Sequence, residues 1–231
     1  MKIFAVSDLH LPGTMDKTMD MFGVKWQGHF EKIKDDWLNK VSEDDIVLIA
    51  GDISWAMHLS QAEPDLNLIS ELPGKKILIR GNHDFWWSSV SRVRDKLKEN
   101  IFVLQNDAIK IGDYVFAGTR GWMDSEGEDN KKIFAREEIR LDLTLKSAKK
   151  LMDESSTLIT MLHYPPIINK TKATAFCDIM ESYGVKYCVY GHLHGVDKKE
   201  AEIFTRNGIT YILSSCDMID FTLREIETKK D

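Results

Sequence analysis

The sequence predicts an α/β fold in which buried strands alternate with amphipathic helices. Continuous apolar runs occur at residues 2–6, 46–50 and 76–80, and runs of this length are typical of strands that are buried on both faces. Residues 28–40 lie between the first two runs, and their apolar side chains recur with helical spacing. A strand, a helix and a second strand in this order indicate a βαβ unit with parallel strands.

The composition is that of a globular protein with enough apolar residues for a full core. The chain has 231 residues, of which 43% are hydrophobic and 29% are charged. It contains no internal repeat and no low-complexity linker, so we expect a single domain over residues 1–231. The net charge of −6 argues against binding to duplex nucleic acid or to an anionic membrane, since both favour a basic surface.

The same overview predicts a cytoplasmic protein. The 3 cysteines form no closely spaced pair and suit reduced, packed thiols better than disulfides. The apolar runs fall well short of the roughly 20 residues that a membrane-spanning helix needs. The first strand also leads directly into polar residues, without the cleavage site of a secretory signal.

The first two predicted strands both end in residues that can bind a metal ion. Residues 2–6 are followed by Asp8-Leu9-His10, and residues 46–50 are followed by Gly51-Asp52. In extended backbone, Asp8 and His10 project to the same side, because side chains alternate. An Asp-x-His triplet alone is more often a solvated loop than a metal site. Parallel strands, however, would bring Asp52 to the same sheet edge as the triplet.

The third strand, at residues 76–80, ends in Gly81-Asn82-His83-Asp84. Gly81 and Asn82 alone are equally consistent with an ordinary turn. The aromatic residues that follow, at 85–87, together with Trp55, are consistent either with stacking on a flat substrate group or with core packing. Core packing is the simpler explanation for them.

The second half of the chain predicts a mixed sheet and a further set of histidines. Short strands are predicted at 101–104, 108–111 and 114–118, followed by a charged, mostly helical layer over residues 121–156, a further strand at 157–162 and a helical segment at 172–182. The strand at 157–162 ends in His163, and the next, at 185–190, ends in Gly191-His192-Leu193-His194. A final hairpin is predicted at 201–205 and 209–214, around Asn207-Gly208.

The position of the histidines is the strongest functional signal. Five of the 7 histidines directly follow predicted strands, and Asp or Asn occupies the same kind of position. Each occurrence alone has an ordinary structural explanation, but independent accidents would scatter these residues over helices and loops. Together they indicate a dinuclear metal site at one edge of the sheets.

These motifs resemble the ordered motifs of the calcineurin-like metallophosphoesterases. The resemblance is carried by Asp8-Leu9-His10, Gly51-Asp52, Gly81-Asn82-His83-Asp84, His163 and Gly191-His192-Leu193-His194, and spans most of the chain. It implies a four-layer α/β/β/α sandwich with two mixed sheets. It also implies hydrolysis of a phosphodiester or phosphomonoester by in-line attack of a hydroxide that bridges two metal ions.

Carried over by position, the resemblance assigns a role to each motif residue. It implies one ion bound by Asp8, His10 and His194. It implies a second ion bound by Asn82, His163 and His192. Asp52 would bridge the two ions, and His83, oriented by Asp84, would be the acid–base residue near the leaving group. Imidazole ligands favour two ions drawn from manganese, iron or zinc.

The sequence departs from the protein-phosphatase branch of that family. After Gly51-Asp52, that branch has a further Asp-Arg-Gly, whereas this chain continues Ile53-Ser54-Trp55. Asp84 also stands where that branch has Glu. We therefore expect a small phosphate ester, such as a nucleotide, as substrate, with Arg120 and Arg80 as candidate additional phosphate contacts. The alternatives are a protein phosphatase and a non-catalytic scaffold on the same fold; the filled ligand positions argue against a scaffold.

Overall fold

Two β-sheets lie face to face between two layers of helices in the computed structural model of the protein. The structure describes residues 1–15, 17–123, 126–168 and 170–228. The first sheet has five strands in the order β13-β1-β2-β3-β4, and the second has six in the order β11-β12-β10-β7-β6-β5. Strands β8 and β9 form a separate small hairpin. The strands are β1 (Ile3–Val6), β2 (Ile46–Ile49), β3 (Lys75–Ile79), β4 (Ile101–Leu104), β5 (Asp107–Ile111), β6 (Tyr114–Thr119), β7 (Thr157–Leu162), β8 (Ile167–Ile168), β9 (Lys172–Ala173), β10 (Tyr187–Tyr190), β11 (Phe204–Arg206), β12 (Ile209–Leu213) and β13 (Arg224–Glu225).

Both sheets are mixed, as predicted. Strands β1 to β4 run parallel, and β13 pairs antiparallel with β1. In the second sheet, β6, β7, β10 and β12 run parallel, and the outer strands β5 and β11 are antiparallel. The helices are α1 (His29–Lys40), α2 (Leu59–Ser70), α3 (Val90–Arg94), α4 (Glu128–Lys149) and α5 (Ala175–Ser182).

Side-chain alternation along the strands produces the layers. On β1, Ile3 and Ala5 belong to the core between the two sheets, whereas Phe4 and Val6 pack toward α1 and α2. Strand β2 repeats the pattern, with Leu48 facing the other sheet. A third core lies between the second sheet and the helices α4 and α5. Because both sheets are covered on both faces, their central strands are continuously apolar. The predicted four-layer α/β/β/α sandwich is confirmed.

Several local predictions were too long, among them the strand at 201–205, which is Phe204–Arg206 in the structure. Residues 172–182 were expected to be helical, but the helix begins at Ala175, since residues 172–173 pair with 167–168 in a small hairpin. The strand predicted at 185–190 begins at Tyr187. The Asn-Gly hairpin was predicted correctly: Asn207 and Gly208 both have positive φ, at 48° and 81°, which a tight hairpin turn of this kind requires.

Candidate metal centre

The predicted site residues follow five parallel strands at the edge where those strands end. Asp8 follows β1, Asp52 follows β2 and Asn82 follows β3 in the first sheet. His163 follows β7 and His192 follows β10 in the second sheet. Since parallel strands release their loops at a common edge, residues far apart in sequence meet in one cluster.

Backbone hydrogen bonds join the two sheets at this edge. The N–H of Ser7 donates to the carbonyl oxygen of Ser214 at 2.7 Å, and the N–H of Cys216 donates to the carbonyl oxygen of Ser7 at 3.1 Å. The segment after β1 thus continues the contact between the sheets beyond the strands. This connection holds the residues of the two halves in one fixed arrangement.

Asp8, His10 and His194 form the first group of possible metal ligands. Their ligand atoms all lie within 4.8 Å of one another. Nε2 of His194 lies 3.3 Å from Oδ1 of Asp8, and the Asp8 carboxylate is fully buried. A carboxylate with two imidazoles at this separation suits a first-row transition metal ion.

Asp52 lies between this group and the histidine from the second sheet. Its Oδ2 is 3.8 Å from Nε2 of His10 and 3.6 Å from Nε2 of His163. Asp8, Asp52 and His163 form a second group whose ligand atoms all lie within 4.8 Å of one another. Because a carboxylate has two oxygens, Asp52 could contribute a ligand atom to either group.

Asn82 lies close to His163 and to one further histidine, His192. Its Oδ1 lies 2.6 Å from Nε2 of His163 and 2.9 Å from Nδ1 of His192. Nδ1 of His163 lies 2.9 Å from the carbonyl oxygen of Ala50, to which it can donate its proton, so that Nε2 keeps its lone pair. Three donor atoms of the kind that bind metal ions therefore converge here.

Four of these residues have an unusual backbone. Asp8, His10, Asp52 and His192 have φ values of 59°, 46°, 52° and 73°, in the left-handed region that side-chain-bearing residues seldom adopt. Each such residue costs of order 1–3 kcal/mol, and strain of this kind concentrates at functional sites. The turns therefore place the ligands at the expense of local stability.

Gly81 allows the closest approach between two of the loops. A Cβ atom at this position would collide with the carboxylate and backbone of Asp52. The residue directly before Asn82 must therefore lack a side chain if Asp52 is to reach the centre of the cluster.

Burial disfavours the charged form of three histidines of the cluster, and a histidine must be neutral to bind a metal ion. Burial lowers the pKa of His10 to about 3 and that of His192 to about 4, with the charge of Asp8 opposing the shift in both cases. Burial also lowers the pKa of His163. In addition, Nδ1 of His10 is buried without a hydrogen-bond partner among the residues described.

The carboxylates of the cluster are crowded together in a buried place. Burial, followed by the charges of Asp8 and Asp84, raises the pKa of Asp52 to about 9. Burial also acts to raise the pKa of Asp8, but the hydrogen bond from His194 and the nearby histidine charges hold it below its usual value. A bound divalent cation would instead favour the charged form of the Asp52 carboxylate. The crowded carboxylates, neutral imidazoles and orphaned ring nitrogen therefore fit bound metal ions.

His83 lies at the mouth of the cluster rather than within it. Its backbone N–H donates to Oδ1 of Asp52 at 2.8 Å, and its half-buried ring packs 4.8 Å from the ring of Trp55 and 5.7 Å from that of His10, measured between centroids. Burial, followed by the charge of Lys17, lowers the pKa of His83. The ring is thus beside the ligand groups and open to a bound substrate.

The Asp84 carboxylate is surrounded by hydrogen-bond donors. Its fully buried carboxylate accepts hydrogen bonds from the backbone N–H groups of Asp52, Ile53, Ser54 and Gly81 and from the indole N–H of Trp86. Among the described residues, no hydrogen bond joins this carboxylate to the ring of His83. Asp84 therefore fixes the loop that carries Asp52, and its role in orienting His83 remains a prediction.

Asp217 is a residue of the cluster that the sequence analysis missed. Its Oδ1 lies 2.7 Å from Nδ1 of His194, and its Oδ2 accepts hydrogen bonds from Nζ of Lys25 and the N–H of Gly195. The sequence held a signal for this residue, because Asp217 closely follows the strand β12, just as Asp8 and Asp52 follow β1 and β2. Carboxylates that orient metal-binding histidines in this way are typical of metal centres.

The aromatic residues near the motifs divide into two kinds. Trp86 and Trp87 are buried in the core, as the simpler hypothesis predicted, whereas Phe85 is 52% exposed. Trp55 stacks on His10, with ring centroids 4.6 Å apart and an interplanar angle of 20°. Trp55 therefore forms part of the wall of the site.

Sequence comparison identifies the family. The family model of the calcineurin-like phosphoesterases matches residues 1–196. Comparison with the curated proteins gives no significant match. Within the described residues, no helix has the length and apolarity needed to cross a membrane.

Solved structures share the fold at low sequence identity. A protein of unknown function from Aquifex aeolicus is 14% identical, with a TM-score of 0.51 over 97% of this chain and 95% of its own. The protein TT1561 of Thermus thermophilus is 11% identical, with a TM-score of 0.57 over 97% of each chain. An archaeal phosphodiesterase is 16% identical, with a TM-score of 0.43 over 98% of this chain and 99% of its own.

The family match covers more than half of the chain and contains every predicted motif residue. The chain belongs to the calcineurin-like phosphoesterase family and is a metal-dependent phosphoric ester hydrolase.

Proposed function

We propose that the protein is a dinuclear-metal phosphohydrolase that cleaves a phosphodiester or phosphomonoester bond of a small molecule such as a nucleotide. The observation that carries the proposal is the position of Asp52, whose Oδ2 lies 3.8 Å from His10 and 3.6 Å from His163. These two histidines come from opposite sheets and belong to the two sides of the cluster. A shared carboxylate between two sets of ligands is the arrangement that a pair of ions needs.

Each ion would have its own set of ligands in addition to the shared Asp52. The first ion would be held by Asp8, His10 and His194. The second would be held by Asn82, His163 and His192. Neutral imidazoles in both sets favour manganese, iron or zinc over magnesium or calcium. When bound, two such ions would supply a water of lowered pKa and would neutralise the charge of the phosphoryl oxygens.

The cavity above the cluster suits a small ester. It has a volume of about 480 Å³, and its lining includes His83, Trp55 and Trp26 beside the ligand histidines. Cavities of roughly 300–1,000 Å³ bind small molecules and cofactors. The aromatic side chains give the leaving group an apolar wall, whereas the phosphoryl group faces the ligands.

His83 would move a proton at the leaving group. Its ring borders this cavity and is anchored through its backbone N–H to Asp52. Although burial and Lys17 lower the pKa of His83, a bound phosphate anion would favour its protonated form. We infer that His83 gives this proton to the departing oxygen, which would otherwise leave as an alkoxide.

The proposal is tested by hydrolysis with manganese-loaded protein. Bis-p-nitrophenyl phosphate and p-nitrophenyl phosphate report diester and monoester cleavage. We expect release of p-nitrophenol from at least one ester by the wild type, and loss of that activity together with metal content in Asp52→Asn. Protein that holds two ions and cleaves neither ester would contradict the proposal and favour a non-catalytic scaffold.

A further inference from the structure

A second cavity, lined by arginines, lies beside the metal centre. It has a volume of about 260 Å³, and its lining includes four arginine side chains and one glutamate. These residues, which we call the arginine pocket, are Arg80, Arg120, Arg136, Arg140 and Glu137. Arg80 and Arg120 were the candidate phosphate contacts of the sequence analysis, and the structure places them together.

The charges of the arginine pocket do not balance. Glu137 is fully buried, and its Oε1 lies 2.6 Å from Nη1 of Arg140, 3.8 Å from Nε of Arg136 and 3.9 Å from Nη2 of Arg120. Among the described lining residues, Glu137 is the single acid facing four guanidinium groups. Guanidinium groups therefore outnumber carboxylates in this lining, in a chain whose net charge is −6.

Arg80 shows the imbalance most clearly. Its Nε is buried and has no hydrogen-bond partner within the described part of the chain. A buried donor that is left unsatisfied is costly, and an anion in the cavity would satisfy it.

The arginine pocket is coupled to the metal centre by the chain itself. Arg80 is separated from Asn82 only by Gly81. The carbonyl oxygen of Arg120 accepts hydrogen bonds from the backbone N–H groups of His163 and Tyr164, both at 3.0 Å. The pocket thus flanks the side of the centre formed by Asn82 and His163.

We propose that the arginine pocket binds a second phosphate group, carried by the substrate whose ester is cleaved at the metal centre. Guanidinium groups match phosphate oxygens in a planar, bidentate geometry, and Glu137 aligns three of them. The proposal rests on the proposed function for the identity of the reaction. It goes beyond the proposed function because it predicts that the enzyme prefers substrates with two phosphate groups to substrates with one.

Two matched substrates test the proposal on the manganese-loaded, full-length protein. They are the p-nitrophenyl ester of thymidine 5′-phosphate and the same ester with an additional 3′-phosphate. We expect the 3′-phosphate to lower KM in the wild type and expect Arg136→Gln to raise that KM about tenfold, since a charge-assisted hydrogen bond is lost. The KM of the ester without the 3′-phosphate should not change. Arg92→Gln, at an exposed arginine on α3, is the control and should change neither value.

A binding measurement separates this proposal from the proposed function. Titration calorimetry with inorganic phosphate should find two sites per metal-loaded wild-type chain, with the second weakened about tenfold in Arg136→Gln. Two sites without hydrolysis of any ester would overturn the proposed function but support an anion site. A single site that Arg136→Gln leaves unchanged, or a 3′-phosphate without effect on KM, would overturn the claim that the substrate's second phosphate binds here.

Discussion

Nδ1 of His194 lies 2.7 Å from Oδ1 of Asp217, and this contact turns Nε2 toward Asp8, whose Oδ1 is 3.3 Å away. Burial acts to lower the pKa of His194, but the hydrogen bonds to Asp217 and Asp8 raise it to about 10. Without a cation, His194 is therefore a protonated ring between two carboxylates. A metal ion in place of the Nε2 proton would preserve both contacts.

Replacing Asp217 should weaken metal binding without removing a ligand. We expect Asp217→Asn to raise the dissociation constant for manganese about 10–100-fold, as loss of an orienting carboxylate typically does. Titration calorimetry with manganese measures this change. The control is Asp220→Asn, at a carboxylate that is 75% exposed and pairs with Lys198 on the surface. Equal affinities in the wild type and Asp217→Asn would remove Asp217 from the centre.

Replacing His83 should reduce turnover and leave the ions bound. We expect His83→Ala to lower kcat about 10²–10⁴-fold, the usual contribution of a general acid or base. Metal content measured by elemental analysis should equal that of the wild type, because the His83 ring lies outside both ligand groups. Unchanged turnover on aryl phosphate esters would exclude His83 from the mechanism.

Asp84 should affect stability more than proton transfer. Asp84→Ala would leave five N–H donors without their acceptor, so we expect a loss of about 3 kcal/mol or more in the free energy of unfolding. Urea unfolding measures the loss. Asp84→Asn, which keeps one acceptor oxygen, should lose less. If Asp84→Ala were as stable as the wild type but had an altered pH profile of kcat, the result would favour a role of Asp84 in orienting His83.

Asp65 gives the fold a pH dependence of its own. Burial raises its pKa to about 6, although hydrogen bonds from Ser54 and Gly13 oppose the shift. The folded state therefore binds the proton more tightly than the unfolded state, and stability is lost as the pH rises from about 4 through 6. Asp65→Asn should be more stable than the wild type by up to about 3 kcal/mol at pH 7.5.

A comparison of the wild type and Asp65→Asn at two pH values isolates the effect of the Asp65 charge on stability. At pH 4.5, the stability gain of Asp65→Asn should fall to about one third of its value at pH 7.5, since most of the wild-type carboxyl is then protonated in the fold. Urea unfolding of both proteins at the two pH values measures it. A gain in stability that does not depend on pH would mean that the buried charge of Asp65 does not destabilise the fold.

The layers of the fold could be predicted because the pattern behind them is local. Continuous apolar runs identified the central strands, and the Asn207-Gly208 signal identified the last hairpin. Element boundaries were less predictable, since Lys172 and Ala173 pair with a short strand that has no sequence signal of its own. The expected single domain over residues 1–231 remains a prediction.

The cluster was predictable because each ligand follows a strand, so that topology alone brings the ligands together. The hydrogen bonds of Asp84 could not be predicted, because a sequence does not reveal which N–H groups a buried carboxylate will face. Only two residues of the arginine pocket could be predicted from the sequence. Arg80 and Arg120 directly follow β3 and β6, whereas Arg136 and Arg140 lie on α4 and resemble ordinary surface charges.

Anomalous diffraction from crystals of the manganese-loaded protein tests the central claim most directly. We expect two peaks about 3.5–4 Å apart. The Asp52 carboxylate should touch both, with His10 bound to one ion and His163 to the other. A single peak, or peaks away from Asp52, would contradict a dinuclear centre at this edge of the sheets.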